Sequence, residues 1–560
     1  MPRPTLAPLL PSLGLPLLAL AAACAGSGAG DHADGNGGNV GAGGAQDLGV
    51  FRDVIERGQI PSPTLLDPNG FFAEHYVEQP PADCGETLCV SAMFARGKDW
   101  VTGERRSTLQ VALTTPVDPA TLPRRPLSLV IVVDRSGSMA EDGRLLKVQR
   151  GLRLLVEQLQ PEDRVALVSF DDRVELAAPL TASPQELYRA IDALTPRGGT
   201  NLHAGLRAGL QLGQEALPER DRRVLLLSDG LATAGEVSSS AIEAMAQTYV
   251  RTGVGLSTIG VGTTFDFQLM RDLAEVGAGN FYFLEDAAAV DEVFTEELAI
   301  SMSPLALDIS LTVTPRPRVT IERGTGRGAD ASGTIYLPAA FSVSRTGAPP
   351  TNGRRGGGAV WFFDLEGVDL AEGAPASLEL SYALPGQPGR FTQRVDVPPL
   401  DAPADDATLP TVSRAAMLKQ VAMYNVYLGL LRATSDARWS GDCALAELRQ
   451  LHDAIELWNR VFADADLAAD QLLVDHLAAN LRARGYREST ADVATCASSS
   501  PYPHEDPYDD TYEGLDCTCS AGGPGGLAPI ALVLGALGFH RRRRRGTVRG
   551  CGAGARADAT

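Results

Sequence analysis

The stretch that most limits the fold is residues 127–139, LSLVIVVDRSGSM. From Leu127 to Val133 it is an almost unbroken apolar, β-branched run. A run that short and that apolar predicts a central strand buried on both faces. It ends on Asp134, with Ser136 and Ser138 following in a D-x-S-x-S array. In open α/β sheets, ligands bind outside the carboxyl ends of the strands. One carboxylate and two hydroxyls are therefore expected at that edge, on a tight turn that Gly137 permits. Such hard oxygen donors suit a hard divalent cation better than nucleophilic catalysis. The competing explanation is a helix cap, because Asp and Ser after a buried strand often cap the next helix.

Strands and helices alternate through the following residues. A helix is predicted over 144–159, with Leu145, Val148, Leu152 and Leu155 near helical spacing. RVALVSF at 164–170 reads as a strand, and VELAAPLT reads as its hairpin partner, giving the sheet an antiparallel edge. Helices over 184–194, 202–216 and 239–251 and strands over 224–227, 255–261 and 281–284 continue the pattern. Alternation of this kind means a parallel, doubly wound, Rossmann-like α/β fold.

Two later pieces complete a set. Thr200 lies in RGGTNLHAGL, and Asp229 ends the apolar run RVLLLSD. Together with Asp134, Ser136 and Ser138 they resemble the metal-ion-dependent adhesion site, or MIDAS, of von Willebrand factor type A (VWA) domains. The resemblance covers about residues 127–302. It implies that Ser136, Ser138 and Thr200 offer hydroxyl oxygens to a cation, and that Asp134 and Asp229 bind it directly or through water. Mg²⁺ is the first choice, with Ca²⁺ or Mn²⁺ as substitutes. One open position would take an exposed Asp or Glu of a protein or peptide ligand. His203 reads as a solvated helix residue. Asp171 and Asp172 either add negative field at this edge or form a polar turn.

The flanks are of another kind. Alternating stretches at 88–94 and 107–113 read as two strands, which cannot bury a face alone. Six more short strands are expected between 305 and 397, with Gly and Pro turns that point to a β-sandwich. The VWA segment is therefore expected to be inserted in, or flanked by, that sandwich. Trp361, Phe362 and Phe363 are consecutive, which calls for a strand buried on both faces. An acidic linker at 401–412 leads to a small helical bundle over 413–496. The FRDVIERGQIPSP segment, the VWA part ending LAEVGAGNFYFLED and the regions after it resemble exported bacterial proteins labelled calcium-activated chloride channel homologues. The chain lacks a set of spanning helices from which to build a pore.

The ends point to export. LLALAAAC places Cys24 where a bacterial lipoprotein signal would have its acylated residue, the alternative being an ordinary signal peptide cut near Ala23. Residues 25–46, rich in Gly, Ala and Asn, read as a flexible tether. Cys84 and Cys89, and Cys443 and Cys496, read as disulfides of an exported protein, with the pairing left open. After a polar spacer at 497–526 come an apolar run and an arginine run within 527–545, then a tail to 560. With Cys517 and Cys519 this resembles the sorting tags of myxobacterial surface proteins (MYXO-CTERM), a plain membrane anchor being the alternative. The apolar run is shorter than the ~20 residues that span a bilayer.

A net charge of −20 excludes nucleic acid as a partner class. No G-x-S-x-G surrounds Ser136 or Ser138, so an enzyme is not expected. The reading is a metal-dependent binding or adhesion module on the cell envelope, as an outer-membrane or cell-surface lipoprotein or one facing the periplasm. The alternative is an assembly scaffold in which metal only stabilises the domain, and a metal-dependent hydrolase is the third reading.

Overall fold

The computed structural model describes residues 38–46, 48–75, 79–118, 125–229, 231–262, 265–284, 287–297, 304–343, 358–398, 400, 411–413, 416–487 and 496. All of them belong to one compact unit within residues 1–508. Cys24, Cys517 and Cys519 lie outside the described residues.

The chain's first described residues correct the tether expectation. Residues 38–46 form strands β1 (Gly38–Gly41) and β2 (Gly44–Ala45), in which Val40 and Ala45 are fully buried. Strand pairing uses backbone groups, so a segment poor in large side chains can still be held firmly. Gly43 and Gly44 take φ +75° and +77°, and a Cβ at Gly43 would lie 2.6 Å from the carbonyl oxygen of Gly279. Arg327 clamps the same turn, donating to the carbonyls of Ala42 and Glu275. Two short helices follow, α1 (Gly49–Glu56) and α2 (Pro68–Ala73), the second capped by Asp67. Then come β3 (Cys89–Lys98) and β4 (Arg105–Thr115), paired antiparallel.

Between β4 and the next sandwich strand lies the α/β domain. Its strands are β5 (Leu127–Asp134), β6 (Arg164–Phe170), β7 (Val174–Thr181), β8 (Asp221–Ser228), β9 (Val254–Val261) and β10 (Asn280–Leu284). The sheet order is β2-β10-β9-β8-β5-β6-β7, parallel except for β7. β2 extends it from the N-terminal segment by pairing with β10. β5 is central, and all eight of its residues are buried. Leu129, Ile131 and Val133 pack toward α3 (Arg144–Glu157), α4 (Pro184–Asp192) and α8 (Ala287–Glu292). Val130 and Val132 pack toward α5 (Leu202–Glu215), α6 (Ser239–Val250) and α7 (Phe267–Val276). That double burial explains why the strand is apolar without alternation, each such side chain contributing about 1.5–3 kcal/mol. α5 comes close to the sheet because Gly205 and Gly209 have no Cβ; one at Gly209 would meet Val132 at 2.2 Å. α7, capped by Asp266, has no counterpart among the sequence expectations.

The remaining strands are β11 (Ala306–Pro315), β12 (Thr320–Thr325), β13 (Thr334–Ser342), β14 (Val360–Glu366), β15 (Ala376–Ala383), β16 (Phe391–Asp396) and β17 (Thr411–Val412). One layer runs β17-β3-β4-β14-β12 and the other β13-β11-β15-β16, with β1 pairing to both β4 and β13. Strands from before and after the α/β domain thus share one sandwich. Trp361 and Phe363 enter the core between the layers. Phe362 faces the other way and stacks on Tyr424, with ring centroids 4.4 Å apart.

That outer face is covered by α9 (Met417–Asp436), α10 (Gly441–Phe462) and α11 (Ala465–Ala483). α9 is buried nearly all round, so it lacks a simple apolar stripe. Buried charges line its contact with the sandwich: Asp364 accepts from Thr108 and Tyr424 and faces Arg106. His75, just after α2, bonds Asp470 of α11. Disulfides join Cys84 to Cys89 and Cys443 to Cys496. Among the described residues no helix is long and apolar enough to cross a membrane.

Candidate metal centre

Asp134 ends β5 with no exposed surface. Its Oδ1 accepts from the backbone N–H of Ser136 at 2.8 Å, and its Oδ2 accepts from the Ser228 hydroxyl at 2.6 Å. These partners are neutral. Burial pushes its pKa up to about 6, against the pull of the Ser228 and Ser136 hydrogen bonds, and the nearby Asp229 adds to the rise. Ser136 and Ser138 place their hydroxyl oxygens 3.0 Å apart, and Ser138 Oγ donates to Asp229 Oδ1 at 2.8 Å. Asp229, one residue beyond β8, is also fully buried. Arg144 Nη1 donates to its Oδ2 at 2.8 Å.

The helix-cap alternative does not describe this arrangement. Ser136 makes no side-chain cap bond to the 3-10 segment it precedes. α3 starts later, behind Gly143, and no side chain caps it.

Thr200 reaches the same edge on a braced loop. The N–H of Gly137 donates to the carbonyl of Gly198 at 3.0 Å, tying the serine turn to that loop. Thr200 is buried, its N–H donating to Thr233 Oγ1 and its carbonyl accepting from the N–H groups of Thr233 and Ala234. Asp171 and Asp172 prove to be braces. Asp172 accepts from the N–H of Gly199 at 3.1 Å, and the Asp171 carbonyl accepts from that of Asn201. The Asp171 carboxylate accepts from Arg197 at 2.7 Å and Arg135 at 2.9 Å. Burial would raise its pKa, but these two guanidiniums and the N–H of Arg173 hold it below the usual value. His203 lies half-exposed in the first turn of α5.

Sequence reasoning passed over Ser228, Arg135, Arg144, Arg197 and Thr233. Arg144 alone carried a local signal, a cation at a helix start where anions are favoured.

The donor set suits a small hard cation. An octahedral Mg²⁺ with oxygens at about 2.1 Å spaces adjacent ligands about 3.0 Å apart, the separation of the two serine hydroxyls. Among the described residues no group of three or more His, Cys, Asp or Glu side chains could hold a metal. A cation here would therefore draw mainly on hydroxyls.

Residues 129–231 match the family described as von Willebrand factor type A domain. The chain carries a von Willebrand factor type A domain. The protein YfbK of Escherichia coli K12, whose name calls it uncharacterized, is 32% identical over 194 residues, which are 34% of this chain and 34% of that protein. Inter-alpha-trypsin inhibitor heavy chain H2 of Mesocricetus auratus is 24% identical over 172 residues, 29% of this chain and 18% of that one. The chain thus spans about a third, or less, of the length of these curated relatives. A solved von Willebrand factor type A protein from Catenulispora acidiphila is 16% identical, covering 68% of this chain and 88% of its own, with a TM-score of 0.43. VWA domains generally mediate protein–protein interaction and adhesion, are generally non-enzymatic, and commonly bind a divalent metal at a MIDAS.

Proposed function

We propose that this chain is a metal-ion-dependent protein-binding module of the bacterial cell envelope, holding a partner's Asp or Glu through a divalent cation, Mg²⁺ first. The observation that carries this reading is Asp134: a fully buried carboxylate with only hydroxyl and backbone N–H partners, beside two hydroxyls 3.0 Å apart. A buried carboxylate is costly unless a positive charge meets it. Ser136, Ser138 and Thr200 would hold the cation, with Asp134 and Asp229 directly or through water. When bound, the ion supplies an electrophilic position for an outside carboxylate. The braced Thr200 loop keeps the hydroxyl donors in register, which limits the ordering cost of binding.

Two disulfides support an oxidising compartment, in line with export and with acylation at Cys24. The arginine and apolar residues of the C-terminal segment would act as an anchor or sorting tag.

Calorimetric titration of Mg²⁺ and Mn²⁺ into the full chain tests the site, with Asp134→Ala beside the wild type. Binding by the wild type that the variant lacks is the expected result. No binding by the wild type would sink the metal reading and leave the scaffold alternative. The Arg144–Asp229 pair favours that alternative, because it already neutralises one of the two aspartates without metal.

A further inference from the structure

Arg144 sits where helix physics does not favour a cation. Helix N-termini carry positive partial charge and prefer acidic residues and oxygen-bearing caps. α3 has no side-chain cap and no acidic residue in its first turn, and it begins with Arg144 behind a left-handed Gly143, φ 65°. The guanidinium turns toward the metal centre instead, with 5% of the side chain exposed. Nη1 lies 2.8 Å from Asp229 Oδ2 and 3.3 Å from the Ser138 carbonyl, and Nη2 lies 3.3 Å from Glu141. Room for it is left by Gly262, φ +75°, where a Cβ would fall 2.5 Å from Arg144 Nε. That Nε is buried without a hydrogen-bond partner among the described residues. An uncapped helix start, a glycine and an unpaired buried N–H are thus all accepted to bring one positive charge against Asp229.

We propose that Arg144 is a resident counter-charge that sets the centre's demand for an acidic ligand. The inference rests on the metal reading above. Asp134 and Asp229, once ionised, carry two buried negative charges, and Arg144 cancels one of them; Glu141, on the other side of the guanidinium, is 67% exposed and screened by water, so it stays outside this count. A divalent cation then leaves the buried centre with one positive charge in excess, which a single carboxylate from a partner neutralises. Without Arg144 the centre would be neutral on binding metal alone, and an incoming carboxylate would add surplus negative charge. In a desolvated site such imbalances are expensive. Arg144 also occupies Asp229 Oδ2, so the Ser138-bonded Oδ1 is the oxygen left nearer the hydroxyl donors. The cation is consequently held loosely and stays electron-poor until the partner completes it.

The test uses the full chain as wild type, Arg144→Gln and Arg144→Lys, with Mg²⁺ alone as the titrant and thermal melts in EDTA and in Mg²⁺. Arg144→Gln is expected to bind Mg²⁺ about tenfold more tightly than the wild type, to melt lower in EDTA, and to gain more from Mg²⁺. Arg144→Lys, which keeps the charge, should stay within about threefold of the wild type. Mg²⁺ binding by folded Arg144→Gln that equals the wild type's or is weaker overturns the proposal and leaves the metal reading intact. Binding by Arg144→Gln where the wild type shows none would sink the metal reading of the native centre and overturn the inference with it. Absence of binding in both overturns the metal reading and the inference with it. An Arg144→Gln chain unfolded in both buffers would make the residue a structural one and likewise overturn the proposal.

Discussion

Asp364 and Asp134 are both buried carboxylates near the carboxyl ends of strands flanked on both sides, and the fold treats them differently. Asp364, between the sandwich and the helices, accepts from Thr108 at 3.0 Å and Tyr424 at 3.1 Å and faces Arg106 at 3.3 Å and Arg323 at 4.0 Å. Asp134 is given hydroxyl and backbone donors only. Where a buried charge serves the fold's own cohesion, the chain supplies the opposite charge. At the end of β5 it leaves Asp134 without one, which makes that carboxylate a candidate for an outside cation.

The comparison can be broken from either side. The largest effect is expected from Asp364→Ala, which removes one of the two carboxylates paired with the buried Arg106 guanidinium, Asp99 being the other, and the acceptor of Thr108 and Tyr424: a loss of about 3–5 kcal/mol in urea unfolding, with Mg²⁺ affinity unchanged. A loss below 1 kcal/mol, on the scale of about a single net hydrogen bond, would mean that the seam does not depend on its internal pairing.

Next comes His75, whose Nε2 lies 2.9 Å from Asp470 and whose Nδ1 lies 2.6 Å from the Phe71 carbonyl. Burial alone would lower its pKa, but the charge and hydrogen bond of Asp470 outweigh burial and raise it to about 9. The folded value thus lies above the unfolded one, about 6.5. The stabilisation is fully present below that pH and disappears as pH rises through about 9. It amounts to about 3 kcal/mol. Urea unfolding at pH 6 and pH 10 (about half a unit below and one unit above those values) should differ by that much more for the wild type than for His75→Asn.

Tyr424→Phe keeps the ring stacked on Phe362 and deletes the bonds to Asp364 and Thr325, costing about 1–2 kcal/mol by the same assay. The smallest change belongs to Asp134→Ala. In EDTA its stability should stay within about 1 kcal/mol of the wild type, while the rise in melting temperature with Mg²⁺ vanishes. A several-fold larger loss in EDTA would place Asp134 with Asp364 as a structural charge and end the contrast.

The parts of the molecule readable from sequence are those set by neighbours along the chain. β5 was legible because burial on both faces leaves an apolar run without alternation, and the D-x-S-x-S array marks where that run ends. Thr200 and Asp229 follow their own strand or loop in order, and the structure brings Asp229 to Ser138 at 2.8 Å. Pairings made over distance left no such trace. Arg144 and Asp229 are 85 residues apart and His75 and Asp470 are 395 apart, so neither partner announces the other. The Gly-rich segment at 38–46 was misread for a different reason. Composition speaks for side chains, whereas β1 and β2 are held by backbone pairing and by the Arg327 clamp.

β5 follows β4 in the chain and ends at Asp134. A pull on anything held there runs down its backbone toward the sandwich. β6 and β8 flank it in parallel through seven register pairs each, so the load falls along the strand axis. Hydrogen bonds arranged this way are sheared together, whereas those of a peeled hairpin give way one at a time. If a partner is held at Asp134, the strand that presents the carboxylate would serve also as a tension rod, moored at its other end.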